Sequence, residues 1–112
     1  MSTDSIEEIR KAFTKGILFT PHAVNQMNRP DRLITRHEVI EVILHGEIIE
    51  DYPEDARGYS CLLMALVSTG RIIHVVCAPK RDYLTIISAY IPSPDIWESD
   101  FKTRRPKEGS DQ

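Results

Sequence analysis

The sequence predicts an α+β domain: N-terminal helices packed on one face of a four-stranded antiparallel sheet, with a short C-terminal helix. Helix signals fill the chain up to residue 46, as two capping boxes and apolar residues at helical spacing. From residue 47 the texture changes to runs rich in Ile, Val, Leu and Tyr, split by turn material. The links between those runs are short, which suits antiparallel neighbours. Helices first and strands afterwards place the helices on a single face of the sheet.

The elements follow in order. Ser5-Ile6-Glu7-Glu8 reads as a capping box, Ile6, Ile9 and Phe13 make the buried stripe, and Gly16 ends the helix. Residues 17–19 are a short extended stretch. Thr20-Pro21 caps a second helix with proline at its first position. That helix carries Ala23, Val24 and Met27 and stops before Pro30. Thr35 and Glu38 form a second capping box, with Ile34 and Val39 as its hydrophobic staple. Val39, Val42 and Ile43 face inward, and Gly46 terminates the helix. Residues 47–52, 59–68, 72–78 and 83–91 are the predicted strands. Ser93-Pro94 opens the last short helix, through Trp97. Residues 1–105 then form a single domain, and residues 106–112 a frayed tail.

Along the third strand, alternate residues share a face. Ile73, Val75 and Cys77 make the more convincing core set, which points His74 out of the opposite, less covered face. A tight turn at residues 79–82 would pair Cys77 with Leu84 and His74 with Ile87, and would set Tyr90 beside Arg71. Cys61 and Cys77 lie opposite or one residue off, so a disulfide between them is geometrically conceivable.

Composition narrows the functional classes. The chain has 112 residues, 28% charged and 41% hydrophobic, with a formal net charge of −3. No stretch approaches the roughly 18 consecutive apolar residues of a membrane-spanning helix. The polar, acidic start is unlike a secretory signal, so reduced thiols in the cytoplasm are expected. Residues 47–58 are strongly acidic, whereas Lys102, Arg104, Arg105 and Lys107 make a basic knot. No phosphate-binding glycine loop, nucleophile elbow or zinc-protease motif occurs, and no histidine has metal-ligand spacing. Neither metal nor cofactor is expected.

Several residues could carry chemistry. His74, in mid-strand, is a candidate general base or acid; the plainer reading is a packed histidine bonded to a neighbour. His22 sits in the first turn of a helix, where the positive helix end disfavours an imidazolium and leaves a neutral proton acceptor. The plainer reading is an exposed histidine. Arg29 and Arg32 flank a loop between helices and could grip phosphate in a forked manner, unless Asp31 fastens them. Arg71, Lys80, Arg81, Arg104 and Arg105 could guide a nucleic-acid backbone. Tyr90 and Trp97 could stack on bases, or serve as packing anchors.

These residues also carry a family likeness. Thr20-Pro21-His22-Ala23, then Met27, Arg32-Leu33-Ile34-Thr35, the Gly46 to Pro53 stretch, Arg71 to Val76, Trp97 and the Arg104-Arg105 pair resemble a bacterial family catalogued as domain of unknown function 4258. Gln26 stands where many members carry arginine. That family is similar to the RelE-like and BrnT-like toxins of toxin–antitoxin pairs. The resemblance implies their fold, RNA cleavage as activity, an antitoxin as partner, and roles for His22, His74 and Arg32. The leading expectation is therefore a metal-independent endoribonuclease with His22, His74 and Arg32 as catalytic residues. The alternative is a non-catalytic module whose open sheet face binds a partner protein or a second copy of the chain.

Overall fold

The computed structural model describes residues 2–56 and 58–106. The expected tail lies, from residue 107 on, outside the described residues. The first helix, α1 (Ser2–Lys15), begins three residues before the expected capping box. It buries Ile9 and Ala12, and Gly16 leads directly into β1 (Ile17–Phe19).

Next comes α2 (Pro21–Met27), with Thr20 as its cap: the Ala23 N–H donates to the Thr20 hydroxyl at 3.0 Å. In α3 (Arg36–His45) the capping box is complete, because the Glu38 N–H donates to Thr35 and the Thr35 N–H donates to Glu38. The staple residues Ile34 and Val39 are both buried. At the other end, Gly46 allows a close approach. A Cβ there would lie 2.5 Å from the Val42 carbonyl oxygen and 2.8 Å from that of Met64. Arg10 of α1 satisfies the exposed carbonyls of this helix end, donating to Ile43 and Gly46 at 3.0 Å each.

The strands are β2 (Glu47–Tyr52), β3 (Ser60–Leu66), β4 (Ile72–Pro79) and β5 (Leu84–Tyr90). They form the expected antiparallel meander, but the sheet has five strands, in the order β1-β5-β4-β3-β2. The extra strand is β1, which pairs parallel to β5 and matches Ile17 with Leu84 and Phe19 with Ile86. The Leu84 N–H donates to the Gly16 carbonyl, and the Thr20 N–H to that of Ile86. A three-residue strand acquires such a partner only through contacts distant in sequence, so its local pattern does not reveal it.

Two further expectations are corrected. The β4–β5 register pairs Cys77 with Ile86 and His74 with Tyr90, and a bulge lies between Val76 and Cys77. The turn is displaced by one residue toward the C-terminus, with Pro79 paired to Leu84, and the bulge adds a residue, so Arg71 has no cross-strand neighbour in Tyr90. The predicted C-terminal helix is a single turn: the Ile96 and Trp97 N–H groups both donate to the Ser93 carbonyl. Beyond it the Asp100 carboxylate accepts from the Lys102 and Thr103 N–H groups, a local alternative that stops helix propagation. Residues 93–106 therefore form a looped strap, closed by a Trp97–Arg104 bridge.

The main core lies between the helices and the sheet. Ile73, Val75 and Cys77 join it, as the alternation of β4 requires. Cys61 and Cys77 are register partners, both buried and both free thiols.

Glu38, only 3% exposed, ties this assembly together. Its carboxylate accepts from Thr35, from the Thr69 hydroxyl at 2.6 Å and from Arg71 at 2.7 and 3.2 Å. Burial opposes its charge, but the Arg71, Thr35 and Thr69 bonds prevail and lower its pKa from 4.5 to about 2. The stability it contributes is whole above the ordinary carboxyl range and is lost as the pH falls from about 4.5 toward 2. Glu38→Ala should destabilise the fold by about 3 kcal/mol, the low end for a broken buried pair because Arg71 is partly exposed. Urea melts at pH 7 measure this, and acid titration of Glu38→Gln should show weaker pH dependence over that window.

Candidate functional site

The face of the sheet opposite the helices carries Glu50 and Tyr52 of β2, His74 of β4, and Ser88 and Tyr90 of β5. The strap lies across it. Two ion pairs tie the strap to β2: Arg104 donates to both Glu50 oxygens, at 2.7 and 3.1 Å, and Lys102 meets Glu47 at 2.8 Å. A third tie runs to β4. His74 Nε2–H donates to the Phe101 carbonyl at 2.7 Å, and Phe101 adopts φ +56° to present it. With Nε2 as the donor, the neutral ring accepts at Nδ1 from the Tyr90 hydroxyl, 3.3 Å away.

The sequence reading directs His74 out of the helix-free face, and the ring does point there. It does not meet solvent: it is fully buried beneath the strap. Trp97 packs edge-on against it, with centroids 4.6 Å apart, and Tyr90 lies at 5.3 Å. Burial lowers the imidazole pKa, against the opposing pull of the Phe101 carbonyl and Glu50. Burial likewise raises that of Tyr90. The pair is held as neutral phenol and neutral imidazole.

Beside the strap opens a cleft of about 320 Å³, lined by Gln26 of α2, Arg32 of the α2–α3 loop, Ser88, Tyr90 and Ile91, and Ser93, Ile96, Trp97 and Arg104 of the strap. Arg32 is the notable group. Its side chain is 14% exposed, and its buried Nη1 has no hydrogen-bond partner among the described residues. Asp31 lies 3.9 Å from the Nε on the other side of the guanidinium. A buried N–H donor without an acceptor is uncommon.

The other expected residues divide clearly. Arg71 does not face a ligand: it is engaged by Glu38 and donates to the Arg32 and Leu33 carbonyls. By holding those two carbonyls it fixes the loop from which Arg32 enters the cleft. Arg29 is half exposed and paired with Asp31 at 3.4 Å, and Arg105 with Glu98 at 3.4 Å. Lys80 and Arg81 lie in the β4–β5 turn, six residues along β4 from His74, or about 20 Å. Trp97 is a packing anchor, 2% exposed with Arg104 stacked 4.6 Å over its ring. His22 is exposed on α2, one helical turn before Gln26 and so on the same helix face. His37 and His45 are exposed.

Sequence reasoning missed Glu50, Tyr52, Ser88, Ser93 and the Phe101 carbonyl. Only Glu50 and Tyr52 carried a signal, the two-residue spacing that puts them on one strand face; Tyr52 donates to Glu50 at 2.5 Å. Burial and that bond raise the Tyr52 pKa to about 12. Among the described residues no group of His, Cys, Asp and Glu is placed to hold a metal ion, and no helix is long and apolar enough to cross a membrane.

Because the native state holds His74 neutral, the unfolded chain binds more protons below the ordinary histidine range. Stability should therefore be full above pH 6.5 and fall as the pH drops below it. Thermal melts from pH 5 to 8 should show this slope, and His74→Gln should flatten it. An unchanged slope in that variant would place the titration elsewhere.

No curated protein and no solved structure matches the chain. A family model described as "Domain of unknown function (DUF4258)" matches residues 19–91, which include Gln26, Arg32, His74 and Tyr90 but not the strap. With well over half of its length matched, the chain belongs to the DUF4258 family.

Proposed function

We propose that this chain is a toxin-like endoribonuclease that binds an RNA phosphate in the Arg32 cleft and cleaves the strand without a metal, in the cytoplasm and under the control of an antitoxin. The observation that carries the reading is Arg32, whose buried Nη1 has no acceptor among the described residues, in a cleft lining shared with Tyr90 and Arg104. A phosphodiester supplies the acceptor oxygens that a guanidinium fork matches. RNA also brings its own nucleophile, the 2′-hydroxyl, so the protein need only move protons and stabilise charge.

The hydrogen-bond directions suit the first proton. As the Tyr90 oxygen accepts the 2′-hydroxyl proton, its own proton passes to His74 Nδ1. The resulting imidazolium is supported by the Phe101 carbonyl at Nε2. The alkoxide attacks phosphorus, the bond to the 5′-oxygen breaks, and His22, which shares a helix face with Gln26 of the lining, would protonate the departing oxygen. Arg32 meets the charge that grows on the phosphate oxygens. Arg104, neutralised by Glu50, positions Trp97 and the strap more than it binds substrate.

The alternative module would use the helix-free face around His74. The chain's own strap covers the centre of that face, which counts against a partner protein docking there.

Purified protein incubated with single-stranded RNA in EDTA should release fragments ending in a 2′,3′-cyclic phosphate. Arg32→Ala and Tyr90→Phe should each slow this by about 100-fold, the usual cost of one lost charge-stabilising or proton-transfer group. Folded protein that cuts no RNA and arrests no growth on expression would overturn the nuclease reading in favour of the module.

A further inference from the structure

A second concavity, of about 420 Å³, lies at the other end of the β4–β5 hairpin, on the side of α1. It is lined by Glu8, Lys11, Ala12 and Lys15 of α1 and by Pro79, Lys80 and Arg81 of the turn. Four cationic residues and one carboxylate line it, Lys80 being already engaged by another group of the protein. Asp82, the next residue of the turn, is outside this lining. Lys11 and Lys15 stand one helical turn apart on one face of α1, a like-charge pair that weakens a helix slightly. The turn then adds Arg81 and Lys80 to the same hollow. The Lys15 ammonium bridges the two walls by donating to the Arg81 carbonyl at 3.0 Å, which uses none of the Arg81 charge. Among the described residues neither Lys11 nor the Arg81 guanidinium has an ion-pair partner.

A site for Lys15 alone would need no explanation, since a cation at a helix C-terminus is favourable. That argument does not extend to Lys11, a turn further back, nor to Arg81 in a separate hairpin. Lys11, Lys15 and Arg81 are exposed, so their mutual repulsion is screened, and their convergence leaves a locally positive hollow on a chain with net charge −3. The hollow is open, and its cations are spread over two elements, which suits several phosphates in sequence more than a single small ion.

We infer that this hollow is a second polyanion-binding site, distinct from the Arg32 cleft, that holds the phosphates of a single-stranded nucleic acid. His74, whose register partner Tyr90 lines the Arg32 cleft, and Lys80 of the hollow are six residues apart in the chain, roughly 20 Å of extended strand. The inference stands whether or not the Arg32 cleft cuts the strand.

The test uses the full chain and a 12-nucleotide 2′-O-methyl RNA, which offers no 2′-hydroxyl and cannot be cleaved. Amide chemical shifts should move at Lys11, Lys15, Lys80 and Arg81. The double variant K11A/R81A should lose those shifts while its circular dichroism is unchanged. Its slope of log affinity against log salt should shrink by about 1.4, the loss of two phosphate contacts on a single strand. Shifts at the hollow that persist in Arg32→Ala would separate the two sites. An unchanged salt slope in K11A/R81A, or shifts confined to the Arg32 cleft, would overturn the inference. So would tighter binding of a poly-glutamate peptide of equal charge, because the hollow would then favour an acidic protein. Absence of RNA cleavage alongside shifts at the hollow would overturn only the nuclease reading.

Discussion

One buried carboxylate joins three segments that are far apart in sequence. Glu38 completes the N-terminal cap of α3, holds the β3–β4 turn through Thr69, and orients Arg71. Arg71 passes this order on by gripping the Arg32 and Leu33 carbonyls. Leu33 adopts φ +45°, a conformation costly for a branched side chain, and the two guanidinium bonds help to hold it. The loop conformation that delivers Arg32 to the cleft thus rests on an ion pair that never meets a ligand. A capping residue of ordinary appearance sets the geometry of the candidate site.

The other face of the sheet shows the same economy of means. A strand that alternates correctly exposes every second residue, and β4 places His74 on the helix-free side. An imidazole among apolar neighbours is tolerated only when both nitrogens are satisfied. The strap does this through the Phe101 carbonyl while Tyr90 supplies the second partner. Trp97 then fills the space beside the ring, and Arg104 seals Trp97 and locks to Glu50. What looked like an open sheet face is a second, smaller core built around a histidine.

The parts of the fold that were legible in the sequence are those decided locally. The Thr20 and Thr35 caps, the Gly46 stop and the inward set of β4 all follow from a few adjacent residues, and all are present. The illegible parts depend on distant partners. The parallel pairing of Ile17 to Phe19 is made with residues 84–86, and nothing in three apolar residues announces it. A turn displaced by one residue and the bulge after Val76 together set Tyr90 opposite His74 instead of Arg71. That shift matters for the site: it creates the Tyr90–His74 hydrogen bond. Arg32 was legible as a loop arginine, but its isolation from acceptors was not, since that is a property of the packed cleft. The facing of Cys61 and Cys77 was visible in outline, because a hairpin around residues 68–70 sets them opposite or one residue off.

Charge is the clearest case of sequence and structure measuring different things. Counted along the chain, the arginines suggest a broad nucleic-acid surface set against an acidic total. Counted in space, Arg71 belongs to Glu38, Arg104 to Glu50, Arg29 to Asp31 and Arg105 to Glu98. Each pair cancels an acid against a base and takes both out of the field that a phosphate would feel. Among the described residues, two places still gather cationic side chains beside a concavity: Arg32 in the cleft lining and the Lys11–Arg81 hollow. A net charge of −3 is therefore compatible with recognition of a polyanion, provided cationic side chains converge locally. Two of the acids in residues 47–55 do not oppose that convergence. Glu47 and Glu50 hold the strap in place through Lys102 and Arg104, and the strap supplies one wall of the cleft.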